Sequence, residues 1–454
     1  MHCLLSCRHF SLRRLPAPFL SAAMMSGLIL WGPGAEARAS DALPGAALVE
    51  ESSLWITIGA DAFARLQAEH GLIFRNQPLQ AVARQGEVVA TRIDSRDLER
   101  ISRVIHQSHH RCPGFLAHDS LEEAQEALLQ SARPQLGGGA LPFEIDQPAL
   151  VASLDGLLQG DEILETIETL STDFNNRYYQ HPSGQNAAQW IRDLWAGYAF
   201  GRPEVTSELF SHSGWAQPSV ILTIPGSTKP DEVVVLGGHL DSISSGSSNP
   251  DFLAPGADDN ASGIATLSEV IRIALAQGFT PQRTVKFIGY AAEEVGLRGS
   301  QEIADTFQAG SDDVVAVLQL DMTGFNGSTN DLTLISDFTD SALNTFLGSL
   351  IDTHLTDLTW NTSFCGYGCS DHAAWHNRGF RAVFPFEATF GQHNGSIHST
   401  SDTVGTLSNS GEHAVKFARV ASAFMVETSV DVVPPIFVDG FESGDTSAWS
   451  STAP

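Results

Sequence analysis

The chain has 454 residues, with a formal net charge of −28, 42% hydrophobic residues and only 17% charged ones. That is enough apolar material for a sizeable core and more than one domain, and too little charge for a disordered chain. So acidic a protein is a poor match for nucleic acid or an anionic membrane surface, and neither is expected as a partner.

In chain order, residues 1–39 read as an export signal. His2, Arg8, Arg13 and Arg14 make a basic start, Phe19 to Trp31 is a short apolar stretch, and Ala37-Arg38-Ala39 gives a small-x-small cleavage pattern. The apolar stretch is too short for a comfortable membrane span. The expectation is therefore a secreted, extracellular protein. From Ser40 to Gln130 the pattern is strand, helix, strand, helix: Leu54 to Ile58, Ala60 to Glu69, Val88 to Ile93, Asp97 to His106. This predicts a small α+β unit with a hint of internal duplication. The Gly-rich run Ala132 to Ala140 is a cleavable linker by composition. Residues 40–140 are thus expected to be a prosegment, the alternative being an accessory binding domain that stays attached.

A larger domain is expected over residues 141–430, followed by a Gly-, Ser- and Asp-rich tail over 431–454. Within the larger domain, helical apolar spacing occurs in Gly160 to Asn176, Asn186 to Ala199, Ala261 to Ala276, Leu297 to Phe307, Ser341 to His354 and Glu412 to Val426. Short β-branched runs alternate with them: Ser219 to Ile224, Val233 to Leu236, Val285 to Tyr290, Val314 to Leu320, Asp331 to Ser336 and Ala382 to Phe386. The alternation predicts an α/β domain whose central sheet is mostly parallel and flanked by helices.

Polar clusters sit at the ends of these runs, where the side chains of a parallel sheet converge on one crevice. They are Gly-Gly-His239-Leu-Asp241, Gly-Ala-Asp258-Asp259-Asn260, Ala-Glu293-Glu294-Val-Gly, the single Asp321, and the later Ser-Ile-His398-Ser-Thr. Each cluster has an ordinary reading as a core histidine, a capped turn or a helix start. Their coincidence in this order points instead to a site for two metal ions, which needs neutral imidazoles, terminal carboxylates and one bridging carboxylate. So many acids packed without cations would repel and take up protons. Asp241 is placed to accept the second ring N–H of His239 and fix its tautomer. The double glutamate suits one carboxylate on metal and one left free as a general base.

These residues resemble the secreted bacterial leucyl aminopeptidases of the vibrio type, within the larger family that includes glutamate carboxypeptidases, glutaminyl cyclases and transferrin receptor. The likeness runs from Leu54 to Val426. It is carried by Gly-His-Leu-Asp-Ser, Ala-Pro-Gly-Ala-Asp-Asp, Tyr-Ala-Ala-Glu-Glu-Val-Gly-Leu-Arg-Gly-Ser, Leu-Gln-Leu-Asp-Met, Cys-Gly-Tyr-Gly-Cys-Ser-Asp-His and Ile-His-Ser-Thr. It implies a zinc exopeptidase-like fold and two Zn²⁺ per chain. Asp258 would bridge them, His239 and Asp321 completing one and Glu294 and His398 the other. Glu293 would be the base, and the Asp258–Asp259 peptide would be cis. The implied substrates are peptide or protein N-termini with apolar residues, leucine foremost, and a monomer is expected.

A serine hydrolase is disfavoured, because no Gly-x-Ser-x-Gly occurs and Ser370-Asp371-His372 in succession cannot form a triad. A single-zinc glutaminyl cyclase is the nearer alternative, against which all five ligand candidates stand together. Cys365 and Cys369 read as a disulfide in an oxidising compartment. Tyr367 between them is either an oxyanion donor or a surface turn tyrosine. Cys112 is then the odd cysteine, either a small buried residue of the prosegment or a thiolate able to sit on one zinc and silence the site.

Overall fold

The computed structural model describes residues 53–68, 73–74, 77–109, 114–132, 139–244, 252–310 and 312–431. The expected export signal, Cys112, most of the Gly-rich linker and the C-terminal tail beyond Asp431 lie outside the described residues.

The N-terminal unit is a four-stranded antiparallel sheet. Strand β1 (Ser53–Gly59) is followed by helix α1 (Ala60–Ala68), β2 (Ala81–Gln85), β3 (Val88–Asp94), α2 (Leu98–His109), β4 (Phe115–His118) and α3 (Leu121–Ala132), in the sheet order β2-β3-β1-β4. The last strand–helix pair is not foreseen by the periodicity. All four residues of β4 are buried, so it has no in–out alternation to read. Its outer side is covered by the larger domain: the Ala117 N–H donates to Gly296 O, and Leu116 packs with Leu297, Ala373 and Ala374.

The larger domain is built on a six-stranded sheet. Its strands are β5 (Thr206–Phe210), β6 (Ser219–Ile224), β7 (Lys229–His239), β8 (Arg283–Tyr290), β9 (Asp313–Gln319) and β12 (Ala382–Val383), in the order β12-β9-β7-β8-β6-β5. The four strands from β12 to β8 are parallel, and β6 and β5 add antiparallel at one edge. On β7, Val234 and Leu236 enter the core on one face while Val233 and Val235 enter the core on the other. Both faces being covered is why this strand reads as an unbroken apolar run. On the first face lie α4 (Gly160–Thr172), α5 (Gly263–Ala276) and α8 (Glu412–Ser429). Helix α5 buries every residue except Arg272 and Ala276. The other face carries α6 (Arg298–Gly310) and α7 (His372–Asn377). The run Ala382 to Phe386, expected as one strand, divides. Ala382–Val383 pairs with β9, while β13 (Pro385–Phe386) joins a small sheet with β10 (Leu332–Ile335) and β11 (Trp360–Ser363). Pro385 has no N–H to continue the first ladder.

The parallel register brings the polar clusters to one end. His239 closes β7 and lies opposite Tyr290, the last residue of β8, three residues before Glu293. Strand β9 stops at Gln319, two residues before Asp321.

Where the two units meet, His118 is fully buried, with its Nε2 2.9 Å from the Thr57 hydroxyl. Burial pushes its pKa down from 6.5 to about 3, and the nearby Arg378 charge adds to the effect. The ring is neutral in the fold and protonates in the unfolded chain near pH 6.5, so below that the unfolded state binds more protons. This contribution is complete above pH 6.5 and is lost as pH falls toward 3, at about 1.4 kcal/mol per pH unit. Denaturant titrations across this range should show an acid limb that flattens in His118→Gln. An unchanged limb would mean that other groups set it.

Candidate metal centre

The strand ends bring five side chains within contact of one another. His239 Nε2 lies 3.1 Å from Asp259 Oδ1 and 3.3 Å from Asp321 Oδ1, and His398 Nε2 lies 2.9 Å from Asp259 Oδ2 and 3.5 Å from Glu294 Oε2. One Asp259 carboxylate thus spans two imidazoles, an oxygen on each, and each imidazole has a second carboxylate of its own. All five side chains are buried. The potential ligand atoms form two groups, His239–Asp259–Asp321 and His106–Glu294–His398, each within 4.8 Å of one another.

The bridging position corrects the expectation from the sequence, which gave it to Asp258. Asp258 turns away: Oδ1 accepts from the Gly324 N–H at 2.9 Å, and Oδ2 from the Asn394 amide at 3.1 Å. The cause is the backbone of Ala257–Ser262, which is kinked at Asp259 (φ −108°, ψ 90°) and Asn260 (φ −133°, ψ 45°), so the adjacent aspartates face different ways. The cis peptide is Asp259–Asn260, not Asp258–Asp259. Gly256 opens the turn at φ 51°, where a Cβ would lie 2.3 Å from Asp259 O, so no other residue fits.

The turn is held on both sides. The Asp258 and Asp259 N–H groups donate to the two Asp402 oxygens at 3.1 Å each. Asn260 donates to Leu320 O at 3.0 Å and accepts from the Gly263 and Met322 N–H groups. That amide ties the turn to the Asp321 loop in a way that an ionised Asp, lacking a donor, could not.

Residues 219–424 match the model of peptidase family M28. A probable leucine aminopeptidase of Arthroderma otae is 39% identical over 272 residues, covering 59% of this chain and 73% of that protein. The chain belongs to peptidase family M28. Leucine aminopeptidase 1 of Trichoderma harzianum is 35% identical over 302 residues, which are 63% of this chain and 74% of that protein. Among solved structures, the Legionella pneumophila aminopeptidase LapA superposes with a TM-score of 0.70 at 28% identity, over 84% of this chain and 99% of LapA. LapB of the same organism gives 0.69 at 27%, over 84% and 100%.

Other side chains of this M28 peptidase fix the orientation of the five. His239 Nδ1 donates to the main-chain oxygen of Asp241 at 3.1 Å, which leaves Nε2 to face the carboxylates. The Asp241 carboxylate, expected to be the acceptor, is 3.4 Å from Nδ1. Its two oxygens instead accept the Glu293 and Glu294 N–H groups at 3.0 and 3.2 Å and so clamp the double-glutamate turn. The Ser370 hydroxyl donates to Asp321 Oδ2 at 2.6 Å, and Gln319 holds both Ser370 and Asp371. Ser370 and Asp371 were visible only as parts of a motif, and Asn394 and Asp402 gave no sequence signal. Contact with the site is what marks them. Arg177, fully buried, donates to Leu170, Leu240, Pro255 and Gly256 carbonyls and thereby ties the site loops together.

Burial raises the carboxyls of Glu293, Glu294, Glu387 and Asp402 well above the usual range, and their acidic neighbours add to it. The same burial lifts Asp371 to about 7 and Asp258 to about 6. Asp259 goes the other way. Burial alone would raise it, but hydrogen bonding and charge from His239 and His398 hold it below the usual range. His239 is likewise raised against its burial, chiefly by Asp321 and Glu293. The centre is short of positive charge, and its donors are imidazole nitrogens and carboxylate oxygens. This set fits zinc, with His239, Asp259 and Asp321 on one side and Asp259, Glu294 and His398 on the other.

Beside Asp321 opens an apolar pocket lined by Met322, Tyr367, Phe384, Phe386, Phe390 and Ile397, with the disulfide-bonded pair Cys365 and Cys369 in its wall. Tyr367 is buried, which removes its reading as a surface turn residue. These residues are spread over several loops, so spacing in the sequence does not identify them.

Two variants separate the adjacent aspartates. Asp259→Ala should lose most bound metal by atomic emission, because it removes an oxygen from both halves. Asp258→Ala should keep its metal while losing about 1–3 kcal/mol of stability, through the donors left unpaired on Gly324 and Asn394. Equal metal loss in both would restore Asp258 as a ligand.

Proposed function

We propose that this chain is a dizinc aminopeptidase that releases single apolar residues, leucine foremost, from peptide N-termini. At the coarser level it is a zinc aminopeptidase, as its membership of family M28 and its leucine aminopeptidase relatives support. The observation that carries the finer reading is the Asp259 carboxylate set between His239 and His398, each with its own further acid.

When bound, the zinc pair supplies Lewis acidity toward the scissile carbonyl and makes water more acidic. Glu293 takes the proton from the attacking water and returns it to the leaving amine, general acid–base work of about 10²–10⁴-fold. Asp241 holds Glu293 in place through the N–H bonds. Tyr367, in the wall of the pocket that Asp321 borders, is assigned to donate to the developing oxyanion. The pocket receives the N-terminal side chain, and its aromatic and aliphatic lining favours leucine over charged or very small residues.

Residues 1–39 act in this reading as an export signal and the unit up to residue 140 as an inhibitory prosegment on a secreted, monomeric enzyme. In support, the core of the N-terminal unit takes in Ala292 and Val295, which flank the double glutamate. Among the described residues no helix is long and apolar enough to cross a membrane.

Metal analysis of the loaded chain should give two zinc ions. Chelation should abolish turnover of leucine p-nitroanilide and zinc should restore it. Glu293→Gln should keep both ions and lose about 10²-fold or more in kcat, and near-normal turnover in that variant would sink the mechanism. Protein cut within residues 133–139 and freed of its N-terminal fragment should turn over faster than the intact chain. In a panel of aminoacyl nitroanilides, a preference for glutamyl or glycyl substrates would reject the pocket assignment.

A further inference from the structure

Helix α2 of the N-terminal unit carries two polar side chains on its buried stripe, Ser102 and His106, one helical turn apart. Neither is accounted for by packing within that unit, since both reach the double-glutamate turn of the larger domain. The Ser102 hydroxyl donates to Glu294 O at 2.7 Å. His106 Nδ1 lies 3.3 Å from the same hydroxyl oxygen. A hydroxyl has one proton to give, and Glu294 O takes it, so Ser102 accepts from the Nδ1–H of His106. That fixes the tautomer of the neutral ring and leaves a lone pair on Nε2, the form in which imidazole ligates metals. Nε2 lies 3.6 Å from Glu294 Oε2, and the ring stacks on His398 at 3.9 Å between centroids. Its ligand atom falls in one group with those of Glu294 and His398.

We propose that His106 is a metal ligand supplied by the N-terminal unit, its Nε2 completing the coordination of the ion held by Asp259, Glu294 and His398. Four protein donors make a closed set of the structural kind, whereas chemistry needs one position open. The intact chain is then a resting enzyme, and withdrawal of α2 opens the position for substrate. Occupation of the metal, and not cover of the cleft alone, keeps it inactive. The ligand precedes Cys112, the thiol considered from the sequence for the same task.

This inference rests on the dizinc reading, and the test keeps the two apart. Intact chain and its His106→Phe variant, which retains a stacked ring but no donor, are titrated with zinc against a chromogenic chelator. Both are also titrated with Co²⁺ while visible absorption is recorded. The expected result is two equivalents in each, with the second bound at least about tenfold more weakly in the variant, as loss of even a ligand's supporting partner costs 10- to 100-fold. The cobalt bands of that ion should change, and turnover of leucine p-nitroanilide at saturating zinc should rise without cleavage. If the Phe variant misfolds, as judged by circular dichroism, His106→Gln is read in the same way. Unchanged second-site affinity and an unchanged cobalt spectrum, with two ions bound, would overturn the His106 ligand alone. A changed spectrum with no gain in turnover would overturn the resting latch. Fewer than two equivalents in the intact chain would overturn both this inference and the dizinc reading.

Discussion

Buried negative charge short of positive charge is the constraint on which this structure depends. Asp241, Asp258, Asp259, Glu293, Glu294, Asp321, Asp371, Glu387 and Asp402 are all buried around the carboxyl ends of the parallel strands. Arg177, a buried permanent cation beside them, directs its hydrogen bonds at four main-chain carbonyls and acts on the acids through space. Carboxylates in such a place either take up protons or hold cations. Much of the surrounding architecture keeps the acids apart by giving four of them donors: N–H pairs for Asp241 and Asp402, Gly324 and Asn394 for Asp258, Ser370 for Asp321.

The backbone contributes as well. Ala292, Leu297, Met322 and His398 have φ between 56° and 58°, a left-handed conformation unusual for residues with a Cβ. They lie on the loops that carry Glu293, Glu294, Asp321 and His398 itself. Such positions cost free energy and persist only where the surroundings over-determine them, which is common at sites that must hold a fixed geometry. Here the surroundings are the N–H clamps and the cores of both units, since Ala292 packs with the N-terminal unit and Met322 with the pocket wall.

What the sequence made legible was set by periodicity and by residues at the ends of apolar runs. His239 and Asp321 follow β-branched strands whose order and direction place them together, and helix Ser341–His354 has the bounds its spacing predicts. Reading failed where geometry, not composition, decides. Asp258 and Asp259 are neighbours of one kind, and only the kink in the turn says which of them faces the imidazoles. Strand β4 is covered on both sides, so no alternation marks it. His106 sits on an ordinary amphipathic helix, and its meaning appears only where that helix meets a turn 188 positions later in the chain, at Glu294.

In the proposed prosegment reading, the apolar seam between the units separates cutting from release. Val295 and Ala292 belong to the core of the N-terminal unit, and Leu116 is buried against Leu297, Ala373 and Ala374. The main chains are also joined there, Ala117 to Gly296, and Gln301 binds Ala117 O. Scission of the linker breaks none of these contacts. On that reading a severed N-terminal unit stays seated, held as one subunit is held by another, until it unfolds or is digested. The onset of activity after cleavage would follow the lifetime of that non-covalent complex and not the rate at which the peptide bond is cut. On that reading nicked but silent enzyme accumulates, and its activity appears together when the bound fragment is consumed.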